Sequence, residues 1–420
     1  MLNIKNEREL AYVVTIDNIT PIEGYDRVEL AHVGGWTIVV GKGEFRPGDP
    51  AIYFEIDSKL PEVEPFTNME FLTKKHYKIK TQKMCKSISQ GLLMSAEQFG
   101  WKAHRNARIF RNEECFDTKE IPGITDANGV VHYVDDESRF LTAALGVTYA
   151  DPGDNHRKAA PADKYKRMVQ RHKKLFSHQP FYWLLKRTWG KKLLFLFFGK
   201  KRDKRSSWPA WVQKTDEERI QNMPWILDSD ETWIATEKID GTSTTFTIKR
   251  KPFGHYDFFV CSRNVCFDKP EKKCFYETNV YTEMAEKYNI EELMKTLLFN
   301  YDIFADCDWI TIQGETYGEG IQNRTYSNPE HSFMAFNLID SRHGRWGTLD
   351  MKNFLEYDIP CVPVVDILVK LPATVEETLD YATGISKLDG EMREGIVFRT
   401  LNGKKSFKAV SNEYLLKYHG

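Results

Sequence analysis

Short runs of apolar and β-branched residues, separated by turn residues, fill the first hundred positions of the chain. Five such runs lie at 12–16, 27–33, 36–40, 51–56 and 91–95. Gly34-Gly35 and the sequence RPGD at 46–49 lie between them, and both are typical of tight turns. Each run has the length of a strand and is too short for a helix. The pattern therefore predicts a small β domain over 1–110.

The pattern changes after Trp208 to strands alternating with helices. Two strands joined by a turn are predicted across 231–249, and apolar residues at helical spacing predict a helix over 277–300. Further strands are predicted at 309–315, 332–340 and 395–399. The predicted parts of the chain are the β domain at 1–110, a connector with a basic and apolar insertion at 111–207, and an α+β domain at 208–420.

The net charge of −1 hides an asymmetric distribution. Seventeen lysines and arginines and only two acids lie between His156 and Arg205, so this segment carries +15 and the remaining chain −16. Such asymmetry favours a polyanionic partner. Within it, 164–177 has a basic helical pattern and 181–198 mixes apolar and basic residues. The second stretch suits a helix packed on the body, a contact to RNA phosphates or adsorption to a membrane surface, and we favour packing with phosphate contact.

Cysteine usage and the first residues favour a cytoplasmic protein. The seven cysteines include no C-x-x-C pair, and Cys261 and Cys266 lack a second ligand pair at zinc-finger spacing. We therefore expect reduced thiols and neither a zinc site nor a disulfide framework. The first ten residues are polar and charged, unlike a signal peptide. Lysines and arginines interrupt 181–198, so we expect no stable membrane insertion.

A lysine-rich segment interrupts the N-terminal β domain. Residues 73–89 contain six lysines, no acid, and the neighbouring His76 and Tyr77. Basic side chains interleaved with aromatic ones are typical of a groove for single-stranded nucleic acid. A solvated surface loop can have the same composition, and the pattern alone leaves both interpretations open.

The strongest candidate for chemistry is the sequence EKIDG at 237–241. Lys238 ends a predicted strand and Gly241 follows in a turn, so the lysine amine can enter a cleft. A neutral amine can attack the α-phosphate of a nucleotide and form a phosphoramidate. The pattern K-x-D-G is common by chance, and KLDG at 387–390 is a second copy. Because Lys387 lies in a polar stretch with only 30 residues after its motif, we assign the chemistry to Lys238.

Further short motifs follow Lys238 in order. They are SRN at 262–264, QGE at 313–315, the strand FMAFN at 333–337, EGIV at 394–397 and KKSFK at 404–408. In this order and spacing the set resembles motifs I, Ia, III, IIIa, IV and V of the covalent nucleotidyltransferase superfamily. That superfamily comprises DNA ligases, RNA ligases and mRNA capping enzymes.

The order of the domains along the chain shows which branch of the superfamily the sequence resembles. DNA ligases and capping enzymes carry an OB barrel after motif V, whereas only 12 residues follow Lys408 here and the barrel is predicted first. This order is similar to the fifth family of ATP-dependent RNA ligases, as are KTDEERIQN at 214–222 and GLLM at 91–94. The resemblance implies an N-terminal OB-like β-barrel. It also implies a C-terminal nucleotidyltransferase domain of ATP-grasp-like ligase type, built on antiparallel sheets with helices.

The resemblance also implies roles for individual residues. The expected catalytic residues are Lys238 as nucleophile, Glu394, and Lys408 as the neutraliser of the α-phosphate. Glu315 and Glu394 are expected to hold Mg²⁺ or Mn²⁺ through water, with Asp240 as a further metal candidate. The expected nucleotide contacts are Glu237, Asp240, Gly241, Arg263, Glu315, Phe336, Lys405 and Arg219.

Some of these roles have a physical basis that the sequence already shows. Glu237 and Asp240 flank Lys238 and should raise the pKa of its amine, and a divalent cation would offset that effect. The resemblance alone implies that Phe336 stacks on adenine, with Phe333 as its substitute. The resemblance includes a second lysine in motif V, but Ser406 occupies that place, which leaves the role of Lys405 open.

The sequence therefore predicts an ATP-dependent RNA ligase that joins 5′-phosphate and 3′-hydroxyl ends through lysyl-AMP and RNA-adenylate intermediates. A nucleic-acid-binding protein with a vestigial ATP site and a polynucleotide ligase acting on DNA-containing nicks are the alternatives. ATP, a divalent metal and RNA are the expected ligands. We expect the protein to act as a monomer.

Overall fold

A computed structural model describes residues 1–108, 120–150, 178–187, 190–192, 194, 208–267, 279–368 and 370–418. The backbone forms two compact units, Met1–Tyr149 together with Ser207–Gly420, and Ala150–Ser206. The first unit contains both the N-terminal β domain and the C-terminal domain.

The N-terminal part consists of small antiparallel sheets. Its strands are β1 (Ala11–Thr15), β2 (Asn18–Pro21), β3 (Val28–Val33), β4 (Trp36–Gly41), β5 (Pro50–Phe54), β6 (Ser58–Lys59), β7 (Gln82–Met84), β8 (Ser87–Ser89), β9 (Leu92–Met94), β10 (Lys102–Arg108), β11 (Glu120–Thr125), β12 (Val131–Tyr133) and β13 (Thr148–Tyr149). They pair in the orders β1-β5-β9, β2-β3-β4, β7-β8, β10-β11-β12 and β13-β6. Buried and half-buried side chains alternate along β4, so one face of this strand is turned to the core. All five strands predicted in this region are present.

Residues 120–149 pack into this β domain, although the sequence placed them in the connector. The N–H of Leu141 donates to the carbonyl of Ala11 at 2.8 Å. Ile124, Leu141 and Val147 are buried in the same apolar core as Ile52. These residues bury their side chains against strands that are distant in sequence, which local periodicity could not indicate.

The C-terminal domain has two antiparallel sheets. Its strands are β14 (Trp233–Lys238), β15 (Thr242–Arg250), β16 (Tyr256–Ser262), β17 (Cys266–Phe267), β18 (Trp309–Tyr317), β19 (Ser332–Asp340), β20 (Gly344–Arg345), β21 (Val364–Leu368), β22 (Gly395–Thr400) and β23 (Ser406–Val410). The smaller sheet has the order β21-β14-β22-β23, and the larger has β17-β16-β15-β18-β19-β20. Because β14 lies in one sheet and β15 in the other, the turn at Asp240-Gly241 joins the two sheets.

Helices cover the larger sheet and fill the connections. The α-helices in the described ranges are α1 (Glu70–Lys74), α2 (Gln179–Leu185), α3 (Val280–Lys287), α4 (Ile290–Asn300), α5 (Thr348–Leu355), α6 (Val375–Ala382) and α7 (Asn412–Tyr418). Short 3₁₀ helices lie at Phe66–Asn68, Ala96–Phe99, Glu137–Arg139, Ile220–Asn222, Pro224–Asp228, Pro252–Gly254 and Asp302–Phe304. The single helix predicted over 277–300 is two helices, because Asn289 has a left-handed backbone with φ 47°. Met284 of α3 and Leu297 of α4 are buried with Phe246 of the larger sheet.

Direct contacts join the β domain to the C-terminal domain. The N–H of Leu2 donates to the carbonyl of Asn222 at 3.0 Å. Ile88 of β8 shares a small buried cluster with Val410 of β23 and Leu415 of α7. The C-terminal helix is therefore one of the elements that hold the lysine-rich hairpin β7–β8 against the C-terminal domain.

In the second unit, the structure describes α2 and a few residues after it. Trp183 is exposed, and the guanidinium of Arg187 lies 4.2 Å from the centre of its ring, as a cation–π contact. The predicted basic helix at 164–177 lies outside the described residues. No helix within the described ranges is long and apolar enough to cross a membrane.

Candidate active site

Lys238 lies where the two sheets of the C-terminal domain meet. It is the last residue of β14 and lies opposite Gly395 of β22. Its ammonium Nζ is 2.6 Å from Oε2 of Glu394, and the two side chains are 25% and 10% exposed. The structure thus brings the predicted nucleophile and a predicted catalytic carboxylate together in a cleft that stays open to solvent.

Three carboxylates influence this amine. Burial lowers the pKa of Lys238, but Glu394, Glu315 and Asp240 raise it, and the net shift is upward. Burial raises the pKa of Glu315 to about 8; Lys238 opposes this rise, while Glu394 and Asp240 add to it. The sequence predicted the upward pKa shift and attributed it to Glu237 and Asp240, whereas the ion-pair partner of Lys238 is Glu394.

Glu237 faces away from Lys238, and its predicted contact to the nucleotide stays a prediction. Successive residues of a strand point to opposite faces of the sheet, so Glu237 and Lys238 do not share a face. The Glu237 residue is 1% exposed. Its carboxylate accepts hydrogen bonds from the hydroxyl of Ser386 and, at 2.8 Å, from the backbone N–H of Lys387. Glu237 is therefore a buried anchor of β14.

Two tyrosines contact Asp240 on the other side of Lys238. The N–H of Asp240 donates to the hydroxyl oxygen of Tyr326 at 2.6 Å, and the hydroxyl of Tyr414 donates to Oδ2 of Asp240 at 2.9 Å. A Cβ on Gly241 would lie 2.3 Å from the carbonyl oxygen of Thr316. A glycine is needed here because β18 approaches the turn too closely for any side chain.

Lys408 belongs to the same sheet as Lys238. It lies in β23 opposite Val397 of β22. Burial lowers its pKa, and Asp216, whose Oδ1 is 3.2 Å from its Nζ, opposes that shift. Asp216 also pairs with Arg263 at 2.8 Å. The predicted residues Lys408 and Arg263 therefore share an acid that sequence reasoning did not single out, although it lies within 214–222.

Comparison with known proteins decides among the interpretations that the sequence left open. Residues 231–418 match the family model described as RNA ligase, and residues 10–96 match a model of an OB-fold domain. The chain is an RNA ligase. The ligase has the predicted domain order, with the OB-fold domain first and the catalytic domain last.

The ligase is similar along almost its whole length to solved structures of a Naegleria gruberi RNA ligase. The structure of that protein with pyrophosphate matches with a TM-score of 0.61 and 26% identity, and the match covers 98% of this chain and 99% of that chain. A mutant with AMP and manganese and another with ATP and manganese match with TM-scores of 0.61, 25% identity and the same coverage. Among curated proteins, no sequence matches the chain.

Lys405 of the ligase lies away from Lys238, and its predicted contact to the nucleotide stays a prediction. Its Nζ is 2.7 Å from Glu231, and its side chain is 56% exposed. Ser406, which occupies the place of the second motif V lysine, donates to Glu217 and accepts from Arg345 at 2.8 Å. At Ser406, where the motif has its second lysine, the nearby positive charge is that of Arg345.

Glu217, Arg345 and Arg399 form a partly buried charged cluster that the motifs did not indicate. The carboxylate of Glu217 is 3.0 Å from Arg345 and 3.2 Å from Arg399. The guanidinium of Arg399 lies 5.7 Å from the ring centre of Phe336. Two arginines and one acid leave a net positive charge next to this ring. Arg399 directly follows the EGIVF sequence of motif IV. This position next to a motif was the one feature of the sequence that could have pointed to Arg399.

The two phenylalanines of β19 have different environments. A register shift between Gln313 and Gly314 of β18 leaves Phe336 without a cross-strand partner, as in a β-bulge, and its side chain is half-buried. Phe333 is fully buried, with its ring 5.2 Å from that of Phe246. The structure excludes Phe333 as a stacking surface for a base and leaves Phe336 as the candidate.

Arg219 lies at the boundary between the OB-fold domain and the catalytic domain. Its guanidinium is 5.7 Å from the ring centre of Trp36, and its backbone forms a bridge with that of Lys408. Burial lowers its pKa, whereas Asp57 and Glu394 raise it. Arg219 is thus near acids of both domains, which is compatible with the predicted contact to a phosphate.

The lysine-rich segment 73–89 retains only part of its predicted character. Lys80, Lys86 and His76 are exposed. Tyr77 is 7% exposed and belongs to the core of the OB-fold domain. Tyr77 is therefore a core residue and offers no exposed face to a base, while the basic surface remains.

Proposed function

We propose that Lys238 forms the lysyl-AMP intermediate of this ATP-dependent RNA ligase. The observation that carries the proposal is the contact of Lys238 with Glu394 at 2.6 Å, at the junction of two sheets. After loss of its proton, Nζ attacks the α-phosphorus of ATP. An N–P bond forms, and the bond from that phosphorus to pyrophosphate breaks. Glu394 is the proton acceptor within hydrogen-bond distance.

The second and third steps transfer AMP to RNA and then release it. An oxygen of the RNA 5′-phosphate attacks the lysyl-AMP phosphorus and frees Lys238. The RNA 3′-hydroxyl then attacks the 5′-phosphate, the phosphodiester forms, and AMP leaves. We assign neutralisation of the transferred phosphate to Lys408, since a positioned ammonium stabilises charge that develops on phosphoryl oxygens.

The carboxylates of the cleft fit a divalent cation. In the described part of the chain, no lysine or arginine forms an ion pair with Glu315, and its pKa near 8 reflects burial next to further acids. Carboxylate oxygens are the ligands that Mg²⁺ and Mn²⁺ prefer, often through water. We propose that Glu315 and Glu394 hold the ion, with Asp240 as the weaker candidate. A bound cation supplies positive charge that lowers the pKa of Lys238 and offsets phosphate charge.

Contacts to the rest of the nucleotide follow from the same geometry. We assign the adenine to the half-buried ring of Phe336, and the guanidinium of Arg399 lies 5.7 Å from the centre of that ring. Arg263 and Arg219 are the proposed phosphate or ribose contacts. Asp216 already pairs with Arg263, so binding of an anion requires that this exposed ion pair opens.

The ligase is proposed to act as a cytoplasmic monomer. Every residue assigned to the cleft comes from one chain. Cys85, Cys261, Cys307 and Cys361 of the described ranges are thiols. Reduced cysteines fit a reducing compartment.

The proposed function is tested by incubating the protein with α-labelled ATP and Mg²⁺ or Mn²⁺ and separating it on a denaturing gel. The expected result is a covalent label that peptide mapping places on Lys238. The label is then chased with RNA that carries a 5′-phosphate and with a 3′-hydroxyl partner strand. Formation of sealed RNA is expected, and a labelled protein that never seals RNA would contradict the second and third steps.

A further inference from the structure

The second K-x-D-G segment of the chain contacts the first. The hydroxyl of Ser386 and the backbone N–H of Lys387 both donate to Glu237, the residue before Lys238. The side chain of Lys387 takes no part, because its ammonium donates to the carbonyl of Val364 at 2.7 Å. The segment therefore binds the end of β14 through two hydrogen bonds, one from a serine hydroxyl and one from a backbone amide.

Asp389 reaches the other side of Lys238 through an arginine. Asp389 forms an ion pair with Arg324 at 2.5 Å, and the two side chains are 4% and 3% exposed. The guanidinium of Arg324 lies 4.3 Å from the ring centre of Tyr326 and 5.7 Å from that of Tyr414. These are the two tyrosines whose hydroxyl groups hydrogen-bond to Asp240.

The connection through Tyr326 is held in an unusual conformation. Tyr326 and Ser327 have φ angles of 55° and 50°, in the left-handed region that residues other than glycine seldom adopt. Such a backbone persists only where surrounding contacts enforce it, and it occurs often at functional sites. In the described residues, Nε and Nη1 of Arg324 are buried without hydrogen-bond partners, so the tyrosine faces stabilise its charge.

We propose that residues 386–389 are the positioning scaffold of the nucleophile. Ser386 fixes Glu237, and Asp389 fixes Asp240 through Arg324 and its two tyrosines. Both neighbours of Lys238 in the motif are thereby held in place. A lysine side chain has many rotamers, so holding the backbone on both sides restricts where the amine can attack. The inference rests on the proposed role of Lys238 and assigns the second K-x-D-G a function in the same reaction.

The decisive variant is Asp389→Asn, which removes the charge and keeps the shape. Single-turnover formation of lysyl-AMP is measured against ATP concentration, and sealing of chemically pre-adenylated RNA is measured separately. We expect the maximal rate of lysyl-AMP formation to fall by about tenfold or more, with the half-saturating ATP concentration within about twofold of wild type. Sealing of pre-adenylated RNA, which needs no attack by Lys238, should change by less than about threefold.

A matched control lies two residues away. Glu391 forms an exposed ion pair with Lys417 at 3.3 Å, and Glu391→Gln should leave both rates unchanged. Tyr326→Phe and Tyr414→Phe remove single hydroxyl groups and decide the question if Asp389→Asn does not fold. Each should slow lysyl-AMP formation more than sealing. Arg324→Lys keeps the positive charge but loses the planar contact of the guanidinium with the two tyrosine rings. Lysyl-AMP formation should therefore be slower in this variant than in the wild type.

The outcomes separate this inference from the proposed function. If the wild type is labelled and folded Asp389→Asn is labelled equally fast, the scaffold role is wrong. Equal losses in lysyl-AMP formation and in sealing of pre-adenylated RNA would mean a general structural role and would also overturn it. A wild-type protein that forms no lysyl-AMP would overturn the proposed function and this inference together.

Discussion

The two K-x-D-G segments of the ligase share a sequence pattern and differ in nearly everything else. Lys238 ends a strand at the junction of two sheets, and its ammonium contacts Glu394 in a cleft. Lys387 lies in a turn, and its exposed ammonium reaches only the carbonyl of Val364. The comparison teaches that a K-x-D-G lysine becomes a candidate nucleophile through the residues that surround it, here the acids around the end of β14. The second K-x-D-G segment, at 387–390, instead contacts the residue that precedes Lys238.

The largest expected effect separates the two lysines. Lys238→Ala should abolish covalent labelling from α-labelled ATP, a loss of at least about a thousandfold, because the attacking atom is gone. Lys387→Ala should keep the rate within about twofold, because its backbone N–H still binds Glu237. Quantified labelling on a denaturing gel is the measurement. Strong labelling of Lys238→Ala together with loss in Lys387→Ala would reverse the comparison.

The acids around Lys238 should have the next largest effect. Glu394→Ala and Glu315→Ala should each reduce labelling by at least about tenfold, the scale of one lost charge interaction in a cleft. Excess EDTA should abolish labelling of the wild type. Glu97→Ala, at an exposed acid of the OB-fold domain, is the control and should have no effect. Full labelling in EDTA would show that the carboxylates serve no cation.

The pKa of Glu315 predicts a pH dependence at limiting metal. Because this pKa is raised to about 8, the carboxyl is largely protonated at pH 7 without a cation, and binding of the cation must displace the proton. The apparent affinity for Mn²⁺, measured from lysyl-AMP formation, should therefore rise as the pH increases to about 8 and then level off. In Glu315→Gln this rise should be absent. A rise of equal size in both proteins would assign the titration to another group.

The basic surface of the OB-fold domain should matter for RNA and not for labelling. The double variant Lys80→Ala, Lys86→Ala should weaken RNA binding and lower the slope of log affinity against log salt by about two, as expected for two lost phosphate contacts. Lysyl-AMP formation should stay near wild type. Lys5→Ala, Lys42→Ala removes two exposed lysines elsewhere in the domain and serves as the control. Equal losses in both double variants would indicate a diffuse charge effect.

The smallest expected effect is on stability and concerns the contact of Ser386 and Lys387 with Glu237 on the buried side of β14. Ser386→Ala removes one donor to the buried carboxylate of Glu237 and should lower the free energy of unfolding by about 1–3 kcal/mol. Denaturant unfolding measures this change. Lys387→Ala keeps its backbone donor and should be almost neutral in the same assay. If both variants unfold like the wild type, Glu237 does not depend on this segment.

Much of the site follows from local patterns in the chain. Lys238, Glu315 and Phe336 all lie in predicted strands or directly at their ends, because alternating apolar residues mark those strands. Lys408 lies in β23, a strand that was not predicted. Local patterns failed where distant contacts decide the outcome. The bulge at Phe336 depends on the register with β18, and the exposed position of Lys405 depends on its ion pair with Glu231.

The sequence alone determined the five predicted strands of the N-terminal region, the order of the motifs and the N-terminal place of the OB-fold domain, because these depend on neighbouring residues and on chain order. Only the tertiary structure decided which acids act on the nucleophile. Glu394 is 156 residues from Lys238 along the chain and 2.6 Å away in space, whereas the adjacent Glu237 points to the opposite face. Charge interactions depend on distance through space and on burial, and neither can be read from separation along the chain.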